Sequence, residues 1–374
     1  MGMGQGGFSH AGLVELDHDA CATMRFNQSL DGSPLKGWNI READTRSIEN
    51  FHDTFGSVDV VAGGPPCQPF SLGGKARGQD DARDMFPEAI RAVRQISPRA
   101  FVFENVKGLL REKFSEYFEY IVLQMSYPTV IRKAGESQKT HRSRLEKIHA
   151  EGRLADLSYR VEWRLLNAAD YGVPQKRERV FFVGFRSDLG VAWSFPNRTH
   201  SKLALGISKS EHGDYYERHK VGKRDRVVMH MPQIPRVTRE AQKFEELAAL
   251  KPWRTVRDAI GDLPNPQKSP DEDFNHIFVD GARSYPGHTG SHIDEPAKTL
   301  KAGDHGVPGG ENMLLNTNKS IRYFTLREAA RIQTFPDVYR FNRSWTESMR
   351  QLGNAVPVDL GAVVAKSVSS ALGR

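Results

Sequence analysis

The chain has 374 residues, two cysteines and a formal net charge of +7. That length supports a large core, arranged as two domains or as one with a sizeable insert, and two cysteines exclude both a disulfide scaffold and a Cys-rich zinc site. No apolar run is long enough for a membrane span and the first residues do not pattern as a signal peptide, so a cytoplasmic protein is expected; its positive balance permits a polyanionic partner without requiring one.

In chain order, Ala11–Glu15 predicts a short strand and a helix begins at about His18. An acid at a strand's carboxyl end can accept hydrogen bonds from a ribose, which makes Glu15 a candidate, although a solvated carboxylate is an equal reading of these residues. Asp44 stands near the tip of a second strand-to-helix turn. VDVVA at 58–62 predicts a short buried strand, because β-branched residues suit a pleated, packed surface. Gly63, Gly64, Pro65 and Pro66 stop it and present Cys67 at the turn. A lone cysteine is ordinarily a buried structural residue. Here the glycines leave room for close backbone approach, and the prolines stiffen a loop on the side of the sheet where open α/β proteins bind ligands. Cys67 is therefore the candidate nucleophile.

Leu72–Arg83 is a polar, Gly-rich loop, with a composition that suits a lid and equally an ordinary surface loop. A helix is expected over Phe86–Gln95, with Ile90 and Val93 toward the sheet. FVFE at 101–104 predicts a second apolar strand ending in a carboxylate, with Asn105 and an amphipathic helix directly after it. Carboxyl ends of neighbouring parallel strands converge, so Glu104 and Cys67 can approach one pocket. Residues 138–153 read as an exposed charged helix or an insertion. Tyr159–Asn167 and Val180–Phe185 predict strands that form a hairpin at the sheet edge. Their connector carries Arg177 and Arg179, which point the same way in an extended chain and suit a base, a phosphate or solvent.

From Arg186 onward Pro, His, Lys and Arg become frequent and periodicity fades, apart from a helix at Val237–Leu250, so a loop-rich second domain is expected here. His212, His219, His230, His276, His288, His292 and His305 lack metal-ligand spacing and read as surface or phosphate-contacting residues. Lys298–Gly310 would let backbone approach a partner closely. Thr325 and Glu328 predict a capping box opening a helix over Leu326–Thr334, and Val358–Leu372 predicts a final helix with Leu360, Val363, Val364, Val368 and Leu372 on one side.

PPCQPFS at 65–71, ENVKG at 104–108, QKRER at 175–179, LREAARIQTFPD at 326–337 and QLGNAVPV at 351–358 occur in the order seen in cytosine-C5 DNA methyltransferases. The chain resembles a bacterial restriction-modification enzyme of that family. The resemblance implies a Rossmann-like α/β sheet that uses S-adenosyl-L-methionine, with catalytic residues 1–186 and 348–374 and a smaller, loop-rich target-recognition domain at 187–347. It implies methyl transfer to C5 of a cytosine flipped out of a specific double-stranded DNA sequence. Cys67 would attack C6 as a thiolate; a free thiol titrates near pH ~8.5, so the site must lower that value or supply a base path. Glu104 would hold or protonate N3, while Arg177 and Arg179 would bind O2 and orient the ring. Glu15 would bind the cofactor ribose, Asp44 the adenine amine, Met85 the adenine face and Asn354 the methionine end, with Pro66 also on the cofactor side. Gln68, Ser71, Asn105, Gln175 and Thr299 would line the substrate side. The implied protein is a monomer that needs neither metal nor membrane, with a cognate restriction endonuclease acting separately.

Three other readings compete. A tRNA cytosine methyltransferase shares the sheet but carries a Cys-Phe-Thr signature missing here, a non-catalytic DNA-binding remnant would recognise a site without methylating it, and a Rossmann oxidoreductase would need a dinucleotide fingerprint after a strand. The chain also departs from the family at its start, where a strand and a loop resembling DLFxGxGG are expected. Gly4, Gly6 and Gly7 do not supply that loop, since only seven residues separate Gly7 from Glu15, whereas a parallel crossover needs about a dozen. Gly7 and Phe8 resemble instead the end of the family's first helix. The first strand, its loop and most of that helix are thus expected to be absent, with weak or no cofactor binding and an exposed edge or apolar groove in the sheet.

Overall fold

The computed structural model describes residues 1–66, 84–152, 156–227, 238–286, 288–302 and 312–373. Cys67, Gln68, Ser71, His230, His305 and the Gly-rich loop at 72–83 lie outside the described residues.

Two parallel strands, β1 (Leu13–Glu15) and β2 (Ile40–Glu42), pair with Leu13 opposite Ile40 and Glu15 opposite Glu42. A second sheet holds β3 (Val60–Gly63), β4 (Ala100–Val106), β5 (Tyr159–Asn167) and β6 (Glu178–Arg186) in the order β3-β4-β6-β5. β3 and β4 are parallel and in register from Val60–Ala100 to Gly63–Phe103, which brings their carboxyl ends level. β6 runs antiparallel to both neighbours, so the expected hairpin forms with β5 at the edge. Among the described residues no strand pairs β1 with β3. The two sheets share instead an apolar cluster in which Val14 and Val61 pack with Phe51, Phe55, Ala92 and Ile96.

The apolar run VFFVGF folds as a strand buried on both faces, and its alternation divides the core. Val180 and Phe182 join Phe86, Phe101, Phe103 and Phe118 on one side. Phe181, Val183 and Phe185 join Leu360, Val364 and Val368 of the helix Val358–Ala371 on the other. Gly184 is required by packing, because a Cβ there would lie 2.3 Å from the Phe101 ring.

The helix Phe86–Ile96 buries Ile90 and Val93 as its periodicity predicts. The helix expected straight after Asn105 does not start there. β4 continues to Val106, which pairs with Arg179, and two 3-10 turns precede the helix Ser115–Ser126. Gln138–Ala150 is helical, seated by His141, whose Nδ1 lies 2.8 Å from the Tyr120 hydroxyl. Residues Gly2–Gln5 form a helical turn against Val358–Ala371, so close that a Cβ on Gly6 would lie 2.4 Å from that of Ala365.

Short strand pairs order the loop-rich region: β7 (His200–Ser201) with β8 (Lys251–Pro252), and β9 (Ser291–His292) with β10 (Met313–Leu315) and β11 (Ile321–Tyr323). The expected helix there spans Thr238–Ala248. A third core gathers Val256, Leu300, Leu314, Phe324, Ala329 and Leu352 with Leu35. The capping box of Thr325 and Glu328 opens the helix Leu326–Ile332. His276, expected at the surface, is fully buried: its Nδ1 meets the Thr325 hydroxyl at 3.0 Å and its Nε2 the Pro264 carbonyl at 2.8 Å. Spacing argues against a metal role for such a residue but does not tell a solvated ring from one held by two internal partners. Among the described residues no helix is long and apolar enough to cross a membrane.

Candidate active site

The level ends of β3 and β4 build the site. Glu104, one residue before β4's last two, is nearly buried, and Arg179 of β6 brings Nε to 2.7 Å from its Oε1. The N–H is not aimed onto that oxygen, which keeps an open acceptor position while the charges pair. Burial raises the Glu104 pKa above the ordinary carboxyl value, and the Arg179 and Arg177 charges only partly offset this. The result is a carboxyl group that holds a proton more readily than a surface glutamate.

The loop leading to Cys67 is tied to this carboxylate's own strand. The Asn105 amide donates to the Pro65 carbonyl at 2.9 Å, and its oxygen accepts from Val106 N–H at 2.8 Å. Met85 N–H donates to the Pro66 carbonyl at 3.1 Å, joining the residues on either side of 67–83. Asp84 accepts from Phe86 N–H at 3.1 Å and from the Tyr117 hydroxyl. Gly64 lies against the site: a Cβ there would stand 3.2 Å from Glu104 Oε2. Gly64 and Pro66 are exposed, so this end of the sheet opens to solvent. The other thiol is disqualified as a thiolate, because burial, helped by the nearby Glu15 charge, pushes Cys21 up to about 11.

The two arginines have different partners. Arg177 is fully buried and donates to the carbonyls of Leu300 at 3.0 Å, Gly353 at 2.7 Å and Ala355 at 2.9 Å. Arg177 lies one residue ahead of β6, where its carbonyl still accepts from Ala168 N–H at 2.9 Å, and its guanidinium goes to these carbonyls whereas that of Arg179 goes to Glu104. Gln175 is likewise internal, donating to Gln333 Oε1 and accepting from Leu300 N–H, both at 3.0 Å. The Thr299 hydroxyl, half-buried, donates to the Lys176 carbonyl at 2.8 Å.

On the expected cofactor side, Glu15 ends β1 and accepts from Asp17 N–H at 2.9 Å through Oε1. Asp44 caps the turn Thr45–Ser47 and pairs with Arg46 through both oxygens, a contact that lowers its pKa. Met85 precedes the helix Phe86–Ile96, and Asn354 is exposed at the end of the helix Trp345–Asn354. Sequence reasoning passed over two residues here. Leu16, 65% exposed beside Glu15, was signalled by an apolar residue straight after an acidic strand end. Gln333, buried against Gln175, lies inside the segment LREAARIQTFPD, but its contact was not legible because its partner lies 158 residues away. Among the described residues, no group of three His, Cys, Asp or Glu side chains is placed to hold a metal ion.

Comparison with known proteins gives the family and the fold. The model of the family "C-5 cytosine-specific DNA methylase" matches residues 1–127 and 137–370. The chain is 30% identical over 376 residues to the type II methyltransferase M.NgoMIV of Neisseria gonorrhoeae, covering 100% of this chain and 94% of that one. It is 30% identical over 372 residues to M.Eco47II of Escherichia coli, covering 98% and 75%. Its fold is similar to the crystal structure of an E. coli prophage-encoded protein described as a DNA modification methyltransferase, with a TM-score of 0.56 at 20% identity, over 100% of this chain and 95% of that one. With a family match across nearly its whole length, over a sheet in which Glu104 near the end of β4 meets Arg179 of the antiparallel β6, the chain belongs to the C-5 cytosine-specific DNA methylases.

Proposed function

We propose that the chain methylates C5 of a cytosine rotated out of a specific sequence in duplex DNA, through a covalent bond between Cys67 and C6 of the ring. The observation that carries this reading is the buried Glu104–Arg179 pair, set against the loop that leads into Cys67. Attack by the Cys67 thiolate at C6 moves an electron pair toward C5. Glu104, with its raised pKa, delivers a proton to N3 and so removes the charge that would otherwise build on the ring. Arg179 holds Glu104 in place and offers a cation beside the pyrimidine O2. Arg177, committed to three carbonyls, sets the wall of the site. C5 takes the methyl group, and loss of the C5 proton, expulsion of the sulfur as thiolate and return of the N3 proton to Glu104 then restore the aromatic ring, the carboxyl group and the nucleophile.

S-adenosylmethionine, when bound, supplies the electrophilic methyl group. Against the weak or absent cofactor binding expected from the sequence, this reading has the chain bind the cofactor, because the side chains at the ends of β1 to β3 fit a nucleoside by their chemistry. Glu15 has only one oxygen engaged by Asp17, exposed Leu16 and half-buried Met85 offer apolar surface, and Asp44 offers a carboxylate already balanced by Arg46. Asn354, exposed at its helix end, would serve the methionine portion, and residues 187–347 would read the target.

Incubation with a duplex carrying 5-fluorocytosine and S-adenosylmethionine tests the reading, because fluorine at C5 blocks proton loss and traps the adduct. A covalent complex is expected, Cys67→Ser should abolish it, and Glu104→Gln should slow methylation of ordinary DNA by about 100- to 10,000-fold. An adduct that survives in Cys67→Ser would exclude the proposal.

A further inference from the structure

β5 stands at the end of the four-stranded sheet, and its register with β6 shows which backbone groups its outer edge carries. Ser187 N–H donates to the Ser158 carbonyl at 2.9 Å, and Ala168 N–H donates to the Arg177 carbonyl at 2.9 Å. These bonds place the hydrogen-bonded pairs of the antiparallel ladder at the even positions of β5. Arg160, Glu162, Arg164 and Leu166 therefore spend their N–H and C=O groups on β6. Those of Tyr159, Val161, Trp163, Leu165 and Asn167 point outward, and among the described residues the backbone groups of Val161, Trp163 and Leu165 have no hydrogen-bond partner. The edge is open to solvent along its middle: Arg160, Glu162 and Arg164 are exposed, as is Trp163, to 44%.

An open strand edge is a template for pairing, and proteins commonly blunt it with a bulge, a proline or lysines. β5 has none of these over its nine residues. Its exposed charges carry both signs and alternate on one face as Arg160, Glu162 and Arg164. Arg164 lies over the Phe195 ring at 5.3 Å, and among the described residues neither it nor Glu162 forms an ion pair. On the other face Trp163 meets Phe118 edge-on, with 4.8 Å between ring centroids.

Set antiparallel against itself, the strand has one register that uses its full length, with Trp163 opposite Trp163, Val161 opposite Leu165 and Tyr159 opposite Asn167. That register pairs the outward groups of both copies and puts Glu162 opposite Arg164 twice. The smallest slip that keeps the same groups outward is two residues. In one direction it sets Glu162 against Glu162 and Arg160 against Arg164, and in the other it sets Arg164 against Arg164. We propose that β5 is an interaction edge whose partner is β5 of a second copy of this chain, the two sheets joining about a two-fold axis at Trp163. Each copy uses its own β5 edge in the contact, so assembly stops at two. One strand pair buries little surface, which places the dissociation constant at about 1–100 µM.

Sedimentation equilibrium of the full chain across that concentration range tests the proposal. The average mass should rise from 42.0 kDa toward twice that value. Arg164→Glu and Glu162→Arg each set like charges opposite at two points and should weaken association at least about tenfold. The double variant Glu162→Arg/Arg164→Glu should restore it. Because the double variant also lacks the Arg164 contact with Phe195, a structural role of Arg164 would not give that recovery. Should a variant fail to fold, amide exchange in the unaltered chain answers the same question. Raising its concentration should slow exchange at Val161, Trp163 and Leu165 and leave Glu162 and Arg164, already bonded to β6, unchanged. A mass that stays at 42.0 kDa, single variants that associate as strongly as the unaltered chain, a folded double variant that stays dissociated, or unchanged exchange at the three outward amides would overturn the proposal.

Discussion

Glu104 shows how one side chain links stability to chemistry. Its folded pKa is raised by burial above the ordinary 4.5, so the native state keeps this proton to higher pH than the unfolded chain does. The stability it contributes is full below the ordinary value and is lost as pH rises through the raised one. Glu104→Gln cannot ionise and escapes that loss. Its melting temperature relative to the unaltered protein should therefore be nearly level at pH 4 and climb toward neutral pH, while activity collapses; a difference that shrinks with pH would contradict the assignment. At this scale the sequence was legible in part. An acid at the end of an apolar run next to a turn cysteine was visible as chemistry before any coordinates. The partition of Arg177 from Arg179 was not, because spacing reports the side of an extended strand and not whether a guanidinium finds a ligand or a carbonyl.

Elements hold these residues by a few close contacts. The Asn105 side chain is the strut between β4 and the Gly64–Pro66 turn. Asn105→Ala leaves the buried Pro65 carbonyl without its donor and should cost about 1–3 kcal/mol by chemical denaturation, with a fall in kcat because the turn carrying the nucleophile is released. Unchanged stability together with unchanged kcat would remove that role. Gly353→Ala forces a methyl into the backbone of Ala302 and should destabilise by at least about 1–3 kcal/mol, and a variant as stable as the unaltered chain would show that the close approach is relaxed. Periodicity located several helices to within a few residues, among them Phe86–Ile96 against an expected end at Gln95 and Val358–Ala371 against an expected end at Leu372, but it did not single out Lys202–Ser208, Val256–Ile260 or Trp345–Asn354. It failed after Asn105, where continued pairing with β6 outweighed the amphipathic pattern and carried the strand two residues past Glu104.

At the scale of the whole molecule, the strands of the β3-β4-β6-β5 sheet were legible because three of them are apolar runs and β5 alternates Tyr159, Val161, Trp163 and Leu165 with polar residues. The region from about 200 to 300 was not, because long-range polar pairs hold much of it. Lys209 reaches Glu295 at 2.6 Å, Arg257 reaches Asp294 at 2.6 Å, and the Tyr215 hydroxyl donates to Asp294 at 2.9 Å. Such pairs have no period to detect. Charge operates at this scale too. With a net +7, DNA affinity should fall by at least about tenfold between roughly 50 and 200 mM salt as counterions compete for the phosphates, and salt-independent retention on duplex DNA would argue against phosphate contact.

The helix Val358–Ala371 covers one face of the four-stranded sheet and also receives the turn Gly2–Gln5. Translation delivers that cover only after every strand beneath it has been made, so the aromatic row of Phe181 and Phe185 lacks it from residue 185 until the helix at 358–371 follows. A nascent polypeptide interrupted before residue 358 would present that row to chaperones and proteases. Quality control would then clear the fragment before it could occupy a chromosome without modifying it.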